Sequence, residues 1–192
     1  MKLLALSTSG RAASAALIEN GTVLAQALSD TGRTHSETIL PLVDSLFHNG
    51  APFCFEALDA FAADIGPGSF TGVRIGVCIA NAFAAASGKP VAAVNSLEAL
   101  ARAASETEPV CALIDARHGN CYAAVYRGKT ALLAPAALTV AELLAQCGKV
   151  ACFTGDGAAA YAAEIRAAFP SVRFAQESLG ILRAGMLAHP AM

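Results

Sequence analysis

The order in which secondary-structure signals follow one another constrains this chain more than any single motif. Residues 2–7, 13–19 and 22–28 read as short strands, and Asn20-Gly21 joins the last two as a hairpin, because both residues tolerate a positive φ. A helix is expected from Thr34, where Thr34-x-x-Glu37 forms a capping-box pattern, to about His48, ahead of Asn49-Gly50. A strand at 58–65, a glycine-rich turn, a helix over 71–87, a strand at 91–94 and a helix capped by Ser96 complete the series. After the polar stretch 105–108 a similar order starts again. Strands at 110–115 and 121–126 precede a third strand, a helix over 140–146, a strand at 150–154, a helix over 158–168, a short strand at 172–174 and a helical stretch from about Glu177. Two such series predict a duplicated α/β unit with mixed sheets and flanking helices. The expected lobes are residues 1–97 and 98–192, with a linker near 95–109.

Of the 192 residues, 55% are hydrophobic and only 15% charged. This excludes disorder and leaves few charges to cover a surface, so some apolar surface is expected to meet another protein. The net charge is -2 and Lys and Arg are thinly scattered. Without a basic stripe, any role with RNA is expected to be indirect. The apolar run before Ser7 is too short for a signal peptide or a membrane span, which points to a cytoplasmic chain with no membrane partner. Cys54, Cys78, Cys111, Cys121, Cys147 and Cys152 lie far apart and include no Cys-x-x-Cys pair, so they read as free thiols, mostly buried.

The run from Gly66 to Gly72 joins a strand to a helix N-terminus, a place where free N–H groups can receive a phosphate. It is neither of the usual phosphate-binding glycine patterns and carries no lysine, so a tight turn that lets the helix pack closely is the favoured reading. Turn chemistry is likewise favoured for residues 115–119 and 154–158. His35 has Ile39 four residues on, and His48, His118 and His189 stand alone, so no metal-binding pair forms on a helix face. Ser69 belongs to no Gly-x-Ser-x-Gly elbow. No catalytic, cofactor-binding or metal-binding residue is therefore assigned, and no cofactor is expected.

The two N-terminal helices carry more apolar surface than one core needs. At ~100° per residue, Ile75, Ile79 and Phe83 form a bulky sector that can serve the chain's own core. Gly72, Val73, Gly76, Val77, Ala80 and Ala84 are left for another backbone to approach. The first helix has a similarly wide stripe, and its Ile39, Leu40, Val43 and Phe47 complete the expected partner interface.

Three stretches carry a family resemblance: Leu4-Ala5-Leu6-Ser7-Thr8-Ser9, His35-Ser36-Glu37 followed by Leu40-Pro41, and Gly66-Pro67-Gly68-Ser69-Phe70-Thr71-Gly72-Val73-Arg74-Ile75-Gly76. With Asn95-Ser96-Leu97-Glu98-Ala99-Leu100 and Leu113-Ile114-Asp115-Ala116-Arg117, they make the first 130 or so residues resemble the TsaB (YeaZ) family of tRNA threonylcarbamoyladenosine biosynthesis proteins. The resemblance implies an actin-like/Hsp70-like (ASKHA) fold of two ribonuclease-H-like lobes. It also implies a non-catalytic subunit for the t6A modification of tRNA, which supports a TsaD transferase through a helix bundle and works with the TsaE ATPase. Homodimer or monomer is left open for the chain alone, an isologous pairing through the same helix patch being compatible with the sequence. Ser7 stands where this superfamily usually has an aspartate able to hold Mg²⁺ near a phosphate. That departure counts against the alternative, an actin-like ATP-dependent phosphotransferase or ATPase.

Overall fold

The computed structural model describes residues 1–48, 50–176 and 182–188, which fall into two compact units. The first contains residues 1–96 together with the tail 182–188, and the second contains the described residues from Leu97 to 176. The returning tail corrects the expectation that residues 98–192 form one lobe. The helical stretch expected from Glu177 lies outside the described residues.

In the first unit, β1 (Lys2–Ser7), β2 (Ala13–Glu19) and β3 (Thr22–Ser29) form an antiparallel meander. The β2–β3 turn uses Asn20 and Gly21 at φ 50° and 82°, the left-handed pair that a two-residue hairpin requires. Next come α1 (His35–His48), β4 (Ala60–Asp64), α2 (Phe70–Ser87) and β5 (Val91–Val94). β4 is parallel to β1 and β5 to β4, which gives the sheet order β3-β2-β1-β4-β5. Register places Leu4 opposite both Leu17 and Phe61, and Leu6 opposite both Ala15 and Ala63. These side chains share the face on which Ile39, Val43 and Leu46 of α1 and Ala80 of α2 are buried. The other face carries Leu3, Ala5, Ser14 and Ala16, two-residue alternation having turned them away. The tail's 3-10 helix, Ala184–Ala188, docks there: Ala184 N–H donates to Ser14 Oγ at 2.8 Å and Gly185 N–H to Gln26 Oε1 at 2.9 Å. Sequence adjacency had assigned this segment to the wrong lobe.

The second unit repeats the plan. After α3 (Ser96–Ala104) come β6 (Val110–Arg117), β7 (Asn120–Arg127), β8 (Thr130–Thr139), α4 (Val140–Gln146), β9 (Cys152–Thr154), α5 (Asp156–Ala160), α6 (Ala162–Ala168) and β10 (Arg173–Phe174). Their order, β10-β9-β6-β7-β8, is that of the first sheet when strands are counted from the start of each unit. Again the hairpin-led strands are antiparallel and the later ones parallel. The duplication read from the order of elements is therefore real, and each half is ribonuclease-H-like. A complete capping box closes α4, where Thr139 and Glu142 satisfy each other's backbone N–H groups. The helix expected over 158–168 is two helices that break at Tyr161, whose hydroxyl donates to Asp115 Oδ1 at 2.7 Å.

Candidate partner-docking site

The site is built on α2, and the ends of β1 and β4 determine how α2 sits. Ser7, Thr8 and Ser9 leave β1 as a buried hydroxyl run, and Asp64 ends β4 at 0% exposure. Asp64 Oδ2 accepts from Ser7 Oγ at 2.9 Å and from Ser9 Oγ, while the amides of Thr8 and Ser9 point at the carboxylate from 3.4 Å. Burial pushes the Asp64 carboxyl above its usual range, against the pull of the Ser9 and Ser7 hydroxyls and the two amides. Sequence reasoning missed this residue. The signal was a lone carboxylate closing the otherwise apolar strand Ala60–Asp64.

This polar knot holds the β1 loop against the start of α2. Ser69 N–H donates to Ser9 O at 2.8 Å, and Thr8 Oγ1 donates to Gly72 O at 2.7 Å. Ser69 caps the helix by accepting from Gly72 N–H at 3.2 Å. Glycine is required where the backbones meet: a Cβ on Gly68 would lie 2.6 Å from Ser9 O, one on Gly76 would lie 2.5 Å from Thr8 Oγ1, and one on Gly72 would strike the Thr8 carbonyl. At this helix start the Thr8-Ser9 backbone packs directly against Gly68 and Gly72. The close-packing reading of the Gly66–Gly72 run is thus the one the geometry favours.

The same geometry revises the proposed interface. Of the 18 residues of α2, Gly72, Gly76 and Ala80 are the buried ones. These are small residues that sequence reasoning gave to a partner. They belong instead to the chain's own packing, because a stripe of small side chains is what lets α2 descend onto the β1 loop and the sheet. Ile39 and Val43 are corrected likewise, since both point into the core beneath α1. Ile75, Ile79 and Phe83 pack half-buried on that core, and so do Val77 and Ala84 from the other flank. Val73 and Phe47 are half-buried, and Leu40 stays 48% exposed. The uncovered face of α2 includes Phe70, Thr71, Arg74, Cys78, Asn81, Ala82 and Ala85, opposite the buried stripe. Cys78 and Ala82, four apart, present to solvent the small-residue surface that had been placed on Gly76 and Ala80.

In the second unit, Asp115, Tyr161 and the Arg117-His118-Gly119 turn form one network. All three turn residues have positive φ, at 68°, 53° and 76°. Arg117 N–H donates to Asp115 Oδ1 at 2.8 Å, which holds the turn in that conformation. The bond to Asp115 pushes the Tyr161 phenol up to about 12. Among the described residues no three His, Cys, Asp or Glu side chains gather as a metal site would require.

A family model described as TsaD, tRNA N6-adenosine threonylcarbamoyltransferase, matches residues 24–181. The chain is 42% identical over 130 residues to the tRNA threonylcarbamoyladenosine biosynthesis protein TsaB of Haemophilus influenzae, covering 64% of this chain and 52% of that one. Against the protein of the same name from Bacillus subtilis the identity is 36% over 134 residues, covering 69% and 58%. The solved structure of YeaZ from Pseudomonas aeruginosa matches with a TM-score of 0.78 at 28% identity, over 97% of this chain and 89% of that one. The chain belongs to the TsaB (YeaZ) family. Its two units share one strand order, the duplication expected of a TsaB-family chain. It spans a little over half the length of the curated TsaB relatives it matches. It also resembles the enzyme named for the family model, with 36% identity over 100 residues to the tRNA N6-adenosine threonylcarbamoyltransferase of Erythrobacter litoralis, covering 50% of this chain and 29% of that one.

Proposed function

We propose that this chain is a non-catalytic subunit of the machinery that makes threonylcarbamoyladenosine in tRNA, and that it binds a TsaD-like transferase through the uncovered face of α2 and the adjoining edge of α1. The observation that carries this reading is the state of α2: an apolar helix of 18 residues in which three are buried. A helix covering a core needs an apolar stripe of about 100°, and α2 has far more than that. The excess is small and flat enough for a second helix to approach, as in a helix bundle. TsaE joins the resulting pair, tRNA meets the assembly mainly through the transferase, and the chain works in the cytoplasm.

The non-catalytic half of the proposal is supported by chemistry at the strand ends. Ser7 stands where a metal-holding aspartate would serve an ATPase, and Asp64, the carboxylate nearest to it, is enclosed by hydroxyls and amides. The test is reconstitution. A TsaD-like transferase from the same cell, given tRNA, threonylcarbamoyl donor and a TsaE-like ATPase, should form modified adenosine only when this chain is added. The chain alone should neither modify tRNA nor turn over Mg-ATP. Full modification without it, or ATP turnover by it alone, would overturn the reading.

A further inference from the structure

Phe70 is the most exposed large apolar side chain among the described residues, at 76%. It is the first residue of α2, and the Ser69 cap fixes its backbone, so the ring is held out at a defined place rather than on a fraying end. One turn on, the Arg74 guanidinium lies 5.4 Å from the ring centroid, a preformed cation–π pair on the exposed face. Among the described residues no carboxylate lies within ion-pair distance of Arg74. The surrounding charge is unbalanced in the same sense. The other five helices carry an acid in the first turn, namely Glu37, Glu98, Glu142, Asp156 and Glu164, whereas α2 carries none. Arg74 therefore meets solvent without a compensating anion from its own helix.

We infer that Phe70 and Arg74 are the anchor of the docking face, and that the occupant is a protein surface offering an apolar slot for the Phe70 ring with a carboxylate at its rim for Arg74. This rests on the reading of α2 as a protein-docking helix and adds to it the residues that carry affinity and the charge of the surface they meet. Aromatic and arginine side chains are the types that dominate interface energetics, and here the two already contact each other on the exposed face. A second copy docking about a two-fold axis would present α2 itself, a helix without a carboxylate to meet Arg74, so charge favours a different, acidic partner. A nucleic acid would need a basic stripe, and Arg74 is one cation on a chain of net charge -2.

The test is titration calorimetry of the full chain with the purified TsaD-like transferase of the same cell, at low and high salt. Variants Phe70→Ala, Arg74→Gln and Arg74→Glu are compared with Leu132→Ala, an exposed apolar control in the second unit. Phe70→Ala is expected to weaken binding about thirtyfold. Arg74→Glu should weaken it more than Arg74→Gln, the salt dependence of the wild-type affinity should flatten in Arg74→Gln, and Leu132→Ala should bind like wild type. All four variants should melt with the wild type, since these side chains are exposed. If the wild type binds and both Phe70→Ala and Arg74→Glu bind within threefold of it, the anchor is refuted while the docking reading stands. No binding by the wild type would refute both. A homodimer dissolved by Phe70→Ala, or a tRNA complex lost in Arg74→Glu, would assign the anchor to a different occupant and overturn the acidic-protein proposal.

Discussion

Gly76→Ala tests the seating of α2 most sharply, because the obstructing atom, Thr8 Oγ1, is itself held by a hydrogen bond. The added methyl would lie 2.5 Å from Thr8 Oγ1, against about 3.4 Å for ordinary contact, so helix and loop must part by about 0.9 Å. Thr8 has little room to yield. It is β-branched and fully buried, and its hydroxyl is committed to Gly72 O at 2.7 Å. Overpacking costs about 1–3 kcal/mol and stranding the buried hydroxyl about 1–3 kcal/mol, offset by about 1 kcal/mol of helix propensity gained over glycine. A net loss of about 1–5 kcal/mol is expected, which in a chain of this size lowers Tm by about 2–20 °C. The assay is urea and thermal unfolding followed by circular dichroism, with Gly10→Ala as control. Gly10 has nothing within 4 Å of its would-be Cβ and should change stability by about 0.5 kcal/mol or less. Thr8→Ala removes the obstructing oxygen, so the double variant should lose at least about 1 kcal/mol less than the sum of the single losses. Additive losses, or a Gly76→Ala protein as stable as wild type, would refute the close seating of α2.

Two further outcomes follow from buried groups. The folded-state pKa of Asp64 lies above its unfolded value, so its contribution to stability is fully present below the unfolded pKa and is lost as pH rises through the folded one. The stability of wild type relative to Asp64→Asn should therefore fall between acid and neutral pH, and urea titrations showing it rise would contradict the burial account. Cys54 and Cys78 are exposed while the other four thiols are buried, and burial pushes Cys111, Cys121, Cys147 and Cys152 up. Two thiols should label with maleimide in the native chain, and a partner on α2 should protect Cys78 but not Cys54. Protection of Cys54 alone would move the interface off this face.

The strands and their order were legible because local chemistry decides them. Asn20-Gly21 dictates a left-handed turn, and Ser69 and Thr139 cap helices from one residue away. Three things were not legible, each for a reason of distance. A helical wheel divides α2 into sectors but does not say which sector has a backbone behind it. Gly72, Gly76 and Ala80 suit either a partner helix or the chain's own packing, and it is Thr8, more than sixty residues earlier, that claims the two glycines while the sheet core claims Ala80. The tail docks on Ser14, which lies 170 residues away from Ala184 and carries no sequence mark of the meeting. Tyr161 breaks a continuous helical pattern because Asp115, 46 residues earlier, accepts its hydroxyl. Asp64 was visible in the sequence but unread, since a carboxylate at a strand end more often faces solvent.

The central claim, that the uncovered face of α2 receives the transferase, is tested most directly by sedimentation of the chain with its TsaD-like partner after placing arginine at two neighbouring positions. Ala85 is exposed, so Ala85→Arg should melt within about 0.5 kcal/mol of wild type. In a close-packed bundle its side chain must clash or bury an unpaired charge, and the complex should be lost. Ala80 is fully buried against the chain's own sheet, so Ala80→Arg should lose its cooperative melt before any partner is added. If Ala85→Arg folds and forms the complex with wild-type affinity, the α2 face is not where the transferase binds, and the account fails.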